Sequence, residues 1–167
     1  MQKKSGKEGN LELFSLNVLD AEKFSEVVSH FPGGEIIIVN EGLLMYLDMG
    51  EKERLCKTIY SLLTKRGGCW ITADIYIKNK QEKLNLKIDN TTKDFFLKHK
   101  IEDNKFVSFE EAEKFFNRMG FIIDRIADVN KSKLSSLKFF LKSVTLKQLF
   151  GLRKGGKMQE TWRLRVA

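Results

Sequence analysis

Short runs of β-branched and apolar residues alternate along this chain with segments whose apolar positions repeat at helical spacing. Leu55, Ile59 and Leu63 recur every four positions, the spacing of one face of a helix. The run Glu35–Val39 is apolar at consecutive positions instead, which is typical of a strand covered on both faces. By these criteria the chain has five predicted strands: Leu11–Leu19, Glu35–Val39, Cys69–Ile77, Phe121–Val129 and Thr161–Ala167.

Helix-capping residues stand at the ends of the segments between these strands. Asp20 is placed to cap a helix at its N-terminus, and Pro32 and the glycines after it stop that helix. Ser108 and Glu111 have the spacing of a capping box, in which each side chain accepts a hydrogen bond from the other residue's backbone. The predicted helices are Ala21–Phe31, Gly50–Lys65, Thr92–Lys100, which is expected to cap a pocket, and a fourth from Ser108 to Gly120.

This alternation predicts an α/β fold in which helices pack on both faces of a mostly parallel sheet. We expect a single domain over residues 11–167, which is long enough to bury one core, after a flexible lead-in at residues 1–10. The domain includes a basic helical insertion at residues 131–157.

The composition narrows the function classes. Cys56 and Cys69 have neither metal-ligand nor disulfide-framework spacing, so we expect two reduced thiols in a cytoplasmic protein without a metal site. His30 and His99 have no companion ligands nearby in the sequence, which points the same way. No stretch approaches the roughly 20 apolar residues that a membrane helix needs, and no secretion signal is evident.

The net charge of +8 belongs to one segment. Residues 131–157 hold eight basic residues and no acidic residue, and the rest of the chain is close to neutral. The segment predicts an amphipathic helix, and the simplest interpretation is that it packs over the sheet edge with its lysines in solvent. The alternatives are attraction of an acidic substrate, weak contact with an anionic membrane surface, or binding of nucleic acid. Nucleic acid is the least supported, because no aromatic stacking pattern accompanies the charge.

Polar residues stand at the ends of three predicted strands, at the edge where open α/β sheets bind ligands. Asn17 is at the end of the first strand, Asn40 and Glu41 follow the second, and Asp74 lies late in the third. Each alone has an ordinary interpretation as a turn amide, a helix-start carboxylate or a solvated side chain. Their coincidence at one edge favours a binding site.

The stretch Asn40–Leu47, NEGLLMYL, followed by GGCWITADIY at Gly67–Tyr76, resembles the leucine carboxyl methyltransferase family. That family includes protein phosphatase carboxyl methyltransferases and bacterial O-methyltransferases. The similarity extends from Leu11 to Val129 and includes NVLDAEKFSEVVSHFPGG and SFEEAEKFFNRMGFIIDRIAD. The resemblance implies a partial class I methyltransferase sheet, Rossmann-like, with an antiparallel last strand. It also implies S-adenosyl-L-methionine as cofactor and S-adenosyl-L-homocysteine as product.

The same resemblance assigns cofactor contacts to particular residues. Asn17 and Val18 match the positions that hold the adenine, where the family usually has an acid in place of Asn17. An asparagine still accepts a hydrogen bond through its amide oxygen. Glu41 lies near the methionine end of the cofactor, and Gly42 permits close approach of the backbone.

The implied reaction is methyl transfer to an oxygen or carboxylate of a small molecule or protein, which the sequence does not name. The protein would contribute mainly alignment and desolvation, and Tyr46 and Asp74 are the candidates for a general base. The residues before Leu11 show no strand that ends in a glycine-rich turn. Because that turn brings backbone close to the cofactor, we expect the chain alone to bind it poorly.

Three functions remain open at this point. The first is a methyltransferase domain. The second is a non-catalytic methyltransferase-like module that forms a homodimer, or pairs with a complementing chain, through an apolar sheet edge. The third is a module that binds membrane or nucleic acid through the basic segment.

Overall fold

The computed structural model describes residues 11–78, 90–127 and 157–167. They belong to two compact units, residues 1–32 and residues 33–167. The predicted lead-in at residues 1–10, almost all of the predicted basic insertion, and the end of the strand predicted at Phe121–Val129 lie outside the described residues.

The unit of residues 1–32 contains the helix α1, Ala21–Ser29. Its predicted cap is confirmed, since the Asp20 carboxylate accepts a hydrogen bond from Lys23 N at 2.9 Å. This contact satisfies one of the free N–H groups of the first turn.

The strand predicted at Leu11–Leu19 is wrong. Residues 11–17 have no regular secondary structure, and Leu11 and Leu13 are 73% and 75% exposed. Alternating apolar residues favour a strand only where a neighbouring strand binds the backbone and a core covers one face. Among the described residues this segment has neither.

The unit of residues 33–167 is built on β1 (Ile36–Asn40), β2 (Gly68–Tyr76), β3 (Phe121–Ile126) and β4 (Gln159–Val166). The sheet order is β1-β2-β4-β3. β1 pairs with β2 in parallel, whereas β4 is antiparallel to both β2 and β3. The prediction of an antiparallel last strand is therefore confirmed. The sheet is mixed, and because β4 lies between β2 and β3, only one pair of neighbouring strands in the described residues is parallel. The predicted mostly parallel sheet is therefore not seen there.

Three helices and a short 3-10 turn connect these strands. The turn is Leu44–Tyr46, and the helices are α2 (Met49–Arg66), α3 (Asn90–Lys98) and α4 (Phe109–Arg118). All three helices were predicted, with ends that differ by a few residues. None of the helices in the described part of the chain is long and apolar enough to cross a membrane.

The capping box lies at a different helix from the one predicted. At α4, Ser108 accepts a hydrogen bond from Glu111 N at 3.2 Å, but the Glu111 carboxylate accepts one from Val107 N, so only half of the box forms. At α2 both halves form between Asp48 and Glu51, at 2.8 and 3.0 Å. The carboxylates near these helix N-termini also interact favourably with the helix dipoles.

Aromatic side chains fill the core between the sheet and two helices. Trp70 is fully buried, and its ring lies 5.6 Å from that of Phe116 on α4 and 5.6 Å from that of Phe121 on β3. Tyr60 of α2 meets the Phe121 ring edge-on at 5.8 Å. Because α2 and α4 contact the same group of rings, both helices lie on one face of the sheet.

On the other face of the sheet, β1 is more exposed than predicted. The apolar run of this strand predicted cover on both faces, yet Ile37 and Val39 are each 66% exposed. Their register partners on β2 are Cys69 and Ile71. Exposed β-branched side chains on an outer strand form an apolar surface that monomeric proteins usually keep small.

Candidate active site

The candidate site is the loop that follows β1 at its carboxyl end. Residues Glu41–Leu47, which we call the site loop, lead from β1 through the 3-10 turn to the cap of α2. Gly42 has a φ of +66°, a conformation that side chains rarely adopt, and apart from its chain neighbours no atom of the described residues lies within 4 Å of the position that a Cβ would occupy. The backbone at Gly42 is therefore open to approach from outside.

Asp74 of β2 holds the start of the site loop. Its side chain is 2% exposed. The carboxylate accepts hydrogen bonds from three consecutive backbone N–H groups and one amide side chain: Gly42 N at 2.5 Å, Leu43 N at 2.7 Å, Leu44 N at 3.1 Å and Asn40 Nδ2 at 2.6 Å. These contacts fix the loop against the end of β2, and they leave Asp74 occupied in positioning the backbone.

Asn40 connects the site loop to the core. Its Nδ2 donates to Asp74, and its Oδ1 accepts a hydrogen bond from Trp70 Nε1 at 2.6 Å. Both ends of the amide are thus used, which determines its orientation. The sequence placed Asn40 at the ligand edge of the sheet, and the structure gives it a positioning role there.

Tyr46 is the exposed aromatic side chain of the site loop. It is 42% exposed, and its ring meets those of Phe95 and His99 on and after α3 edge-on, at 6.3 and 6.2 Å. The ring centres of Phe95 and His99 lie 4.4 Å apart. The helix predicted in this linker therefore lies beside the site loop, and the three rings form a partly exposed aromatic surface.

Glu41, the first residue of the site loop, is exposed. The negative charge of Glu41 affects the pKa of Tyr76, which lies at the end of β2. The pKa of Tyr76 is raised above its ordinary value, first by burial and then by the nearby carboxylates of Asp74 and Glu41. Two carboxylates, those of Asp74 and Glu41, therefore lie near the end of β2, and Glu41 is the exposed one.

Lys52 and Asn104 complete the support of the site loop, and the sequence reasoning missed both. Lys52 of α2 is 1% exposed, and its Nζ donates hydrogen bonds to Leu47 O and, at 2.7 Å, to Asn104 O. The amide of Asn104 donates in turn to Met45 O at 3.3 Å. A signal for Lys52 was present, because it lies three positions before Leu55, on the apolar face of α2. No pattern in the sequence indicated that Asn104 would support the site loop.

Asn17 and Val18 lie in the other unit, residues 1–32. Asn17 closes a turn, since its Oδ1 accepts from Leu19 N at 3.1 Å and its backbone O accepts from Asp20 N at 3.0 Å. This is the local role that asparagine often has before a helix. Contact of these two residues with adenine remains a prediction.

A concavity of about 520 Å³ lies away from the site loop, between α4 and strands β3 and β4. It is open, and its lining includes Glu110, Glu113, Asp124 and Trp162. None of the residues predicted to form a site lines it. In the described ranges 11–78, 90–127 and 157–167 no group of three or more histidine, cysteine or acidic side chains could hold a metal ion.

Comparison of the chain with protein-family models and with curated proteins found no match.

Proposed function

We propose that residues 33–167 form part of an S-adenosylmethionine-dependent methyltransferase domain in which the site loop contacts the methionine end of the cofactor. The observation that carries the proposal is the support of this loop at the carboxyl ends of β1 and β2. Asp74 binds three of its N–H groups, and Lys52 and Asn104 bind two of its carbonyl oxygens. A rigid loop at this edge is where an open α/β sheet binds ligands.

The residues at the start of the site loop suit this cofactor. The exposed Glu41 carboxylate can accept hydrogen bonds from the ammonium group of the methionine end. The open backbone at Gly42 admits a ligand that a side chain would exclude. S-adenosylmethionine supplies the methyl group. The antiparallel direction of β4, the last strand along the chain, agrees with the class I methyltransferase resemblance.

The chain's own residues would act by alignment more than by proton transfer. Asp74 is buried and binds backbone N–H groups, so in this proposal it positions the loop. Tyr46 presents its ring beside Phe95 and His99, where it can orient an acceptor oxygen next to the cofactor. The acceptor class in this proposal is a hydroxyl or carboxylate of a small molecule or protein.

Calorimetric titration with S-adenosylhomocysteine tests the proposal. Native protein and the variants Glu41→Ala and Glu35→Ala are compared, the latter as a matched control because Glu35 is an exposed glutamate just before the opposite end of β1. Binding that is retained in Glu35→Ala and weakened about tenfold or more in Glu41→Ala, the loss of one charge-assisted contact, supports it. Equal binding by both variants, or none by the native protein at millimolar ligand, contradicts it.

A second candidate function is a non-catalytic interaction module. The observation that favours it is the exposure of Ile37 and Val39 on the outer strand β1. A homodimer or a complementing chain would cover these side chains. A third candidate, binding of an anionic surface through the basic segment, concerns residues that lie almost wholly outside the described ranges.

A further inference from the structure

We infer that Lys52 is a positioning residue, whose buried ammonium group fixes Tyr46 by binding the end of the site loop to the turn before α4. The inference rests on the proposed function only in treating the site loop as part of a cofactor and acceptor site. The positioning itself concerns the protein without ligand.

The hydrogen bonds around Lys52 show how it acts on Tyr46. Its Nζ donates to Leu47 O, directly after the 3-10 turn, and to Asn104 O. The side chain of Asn104 then donates to Met45 O. The carbonyl groups on both sides of Tyr46 are therefore held by one connected group of donors.

The two ends of the site loop are held by groups of opposite charge. The Asp74 carboxylate accepts from the N–H groups of Gly42, Leu43 and Leu44, whereas Lys52 donates to the carbonyl of Leu47. Between them, the N–H of Tyr46 donates to Leu43 O at 3.0 Å. Each hydrogen bond to a charged group is worth about twice a neutral one, so the loop has little freedom while both groups remain in place.

The ammonium group of Lys52 is buried, and its acceptors in the described residues are neutral. Both acceptors are backbone carbonyl oxygens, and the ring of Phe106 lies 5.6 Å from Nζ. Leu44, Met45 and Phe106 are among the side chains that line the adjacent gap. The charged and titratable groups of the described residues that face Lys52 are Asp48 at the N-cap of α2, Glu51 and Cys56 on α2, Lys78 after β2, and Asp74, Tyr76 and Lys105, which line the gap.

In the described part of the chain no carboxylate contacts the Lys52 ammonium group, so burial makes its charged form costly. Burial lowers the pKa of Lys52 from 10.5 to about 8, and Asp48 and Glu51 offset this only in part. A loop opening that hydrates the ammonium group would bring its pKa back toward the ordinary value. The closed loop is therefore favoured as the pH rises above about 8, because the closed form releases its proton first.

Amide hydrogen exchange at neutral pH tests the inference, with Lys52→Met compared with native protein and with Lys57→Met. Lys57 is an exposed lysine of the same helix. In Lys52→Met we expect the Tyr46 and Leu47 amides to exchange about tenfold faster, since two carbonyls lose their donor. Exchange in β2 should stay slow, because the hydrogen bonds of Lys52 within the described residues go to Leu47 and Asn104 and not to β2.

A purely structural role would give a different result. Exchange would then accelerate by the same factor in β2 and in the site loop, and this outcome would overturn the inference. Unchanged exchange at Tyr46 and Leu47 would overturn it as well. Failure of S-adenosylhomocysteine to bind leaves these exchange rates unaffected, so failure of the proposed function is distinguishable from failure of the inference.

If Lys52→Met does not fold, the native protein decides the question. NMR of ¹³C-labelled lysine and tyrosine follows the Lys52 side chain and the Tyr46 ring between pH 7 and 9.5. We expect both signals to titrate with the same midpoint, near 8. A Tyr46 ring signal that does not respond while Lys52 titrates would show that the lysine does not position it.

Discussion

Asp74 and Lys52 show what burial does to charged side chains at the scale of single residues. Both are almost fully buried, at 2% and 1% exposure. Asp74 is stabilised by four hydrogen-bond donors, whereas Lys52 has two neutral acceptors and an aromatic ring. Removal of the Asp74 carboxylate leaves four hydrogen-bond donors without an acceptor. Removal of the Lys52 ammonium group leaves two carbonyl groups without this donor, but it also removes a buried charge whose acceptors in the described residues are neutral.

Asp74→Asn is expected to lower the free energy of unfolding by about 3 kcal/mol, because an amide cannot accept from all four donors and brings an N–H₂ group of its own. Urea denaturation measures the change. The matched control is Asp103→Asn, an exposed aspartate for which a change within about 0.5 kcal/mol is expected. Equal stability of the two variants would show that Asp74 does not hold the loop.

Stability between pH 8 and 9 is expected to rise in native protein relative to Lys52→Met. The pKa of Lys52 is about 8 in the folded protein and 10.5 ordinarily, so in this range the unfolded chain binds more protons. The free energy of unfolding then increases with pH, by at most about 1.4 kcal/mol per pH unit.

Cys56 limits the range in which this comparison is informative. Burial raises the pKa of its thiol to about 12 from an ordinary 9.0, so above pH 9 the unfolded chain loses that proton first and stability falls. Urea denaturation at pH 7, 8 and 9 avoids this effect. Parallel pH profiles of native protein and Lys52→Met would contradict the burial of a charged lysine.

The sequence predicted which polar residues lie at one edge of the sheet better than it predicted their contacts. Asn40 and Glu41 follow one predicted strand, Asp74 lies late in the next, and strand ends in such sheets meet at one edge. The hydrogen bonds of Asp74 depend on the conformation of a loop some thirty positions earlier in the chain, and no local pattern specifies that. Lys52 was recognisable from its place among apolar residues, but its acceptors were not.

At the scale of elements, the crossover from β1 through α2 to β2 determines how closely the two parallel strands pack. Gly68 begins β2 opposite Ile36 in the register. Its φ is +101°, and a Cβ added there would lie 1.9 Å from the carbonyl oxygen of Ile36. Only glycine fits this position without moving the backbone.

Gly68→Ala is therefore expected to lower the free energy of unfolding by at least about 3 kcal/mol, through strain and a steric clash with β1. Thermal unfolding followed by circular dichroism measures it. Gly33→Ala is the control, since nothing lies within 4 Å of its added Cβ. A stable Gly68→Ala protein would contradict the close approach of β1 and β2.

The helices that the sequence predicted correctly have strong local sequence signals, such as an apolar face and capping residues. α2 has an apolar face, a complete capping box and a glycine at its end, so its bounds differ from the prediction by one residue. The strand predicted at Leu11–Leu19 rested only on the alternation of apolar and polar residues. Such a pattern does not provide the neighbouring strand that a strand needs for stability. The place of β4 between β2 and β3 arises from long-range pairing, which the local pattern does not encode.

At the scale of the whole molecule, the exposed face of β1 is the feature most in need of a partner. Ile37 and Val39 point away from the face that α2 and α4 cover, and each is 66% exposed. We expect the protein to self-associate through this strand, because pairing would bury apolar side chains and satisfy backbone groups at the sheet edge.

The double variant Ile37→Lys with Val39→Lys tests this expectation, with the mass in solution measured by sedimentation equilibrium. The two lysines should shift the protein toward monomer, because they place like charges at a self-complementary contact. Leu97→Lys, at a 68% exposed position on α3, is the control and should leave the mass unchanged. A monomeric native protein, or equal mass for all three, would contradict the expectation.

Binding of the cofactor by the site loop can be observed by NMR of ¹⁵N-labelled protein titrated with S-adenosylhomocysteine. This measurement detects weak binding and also locates it. We predict saturable shifts of the Gly42, Leu43 and Leu44 amides, which bind Asp74 at the start of the loop. Shifts confined to other parts of the sheet, or none up to millimolar ligand, would contradict the account.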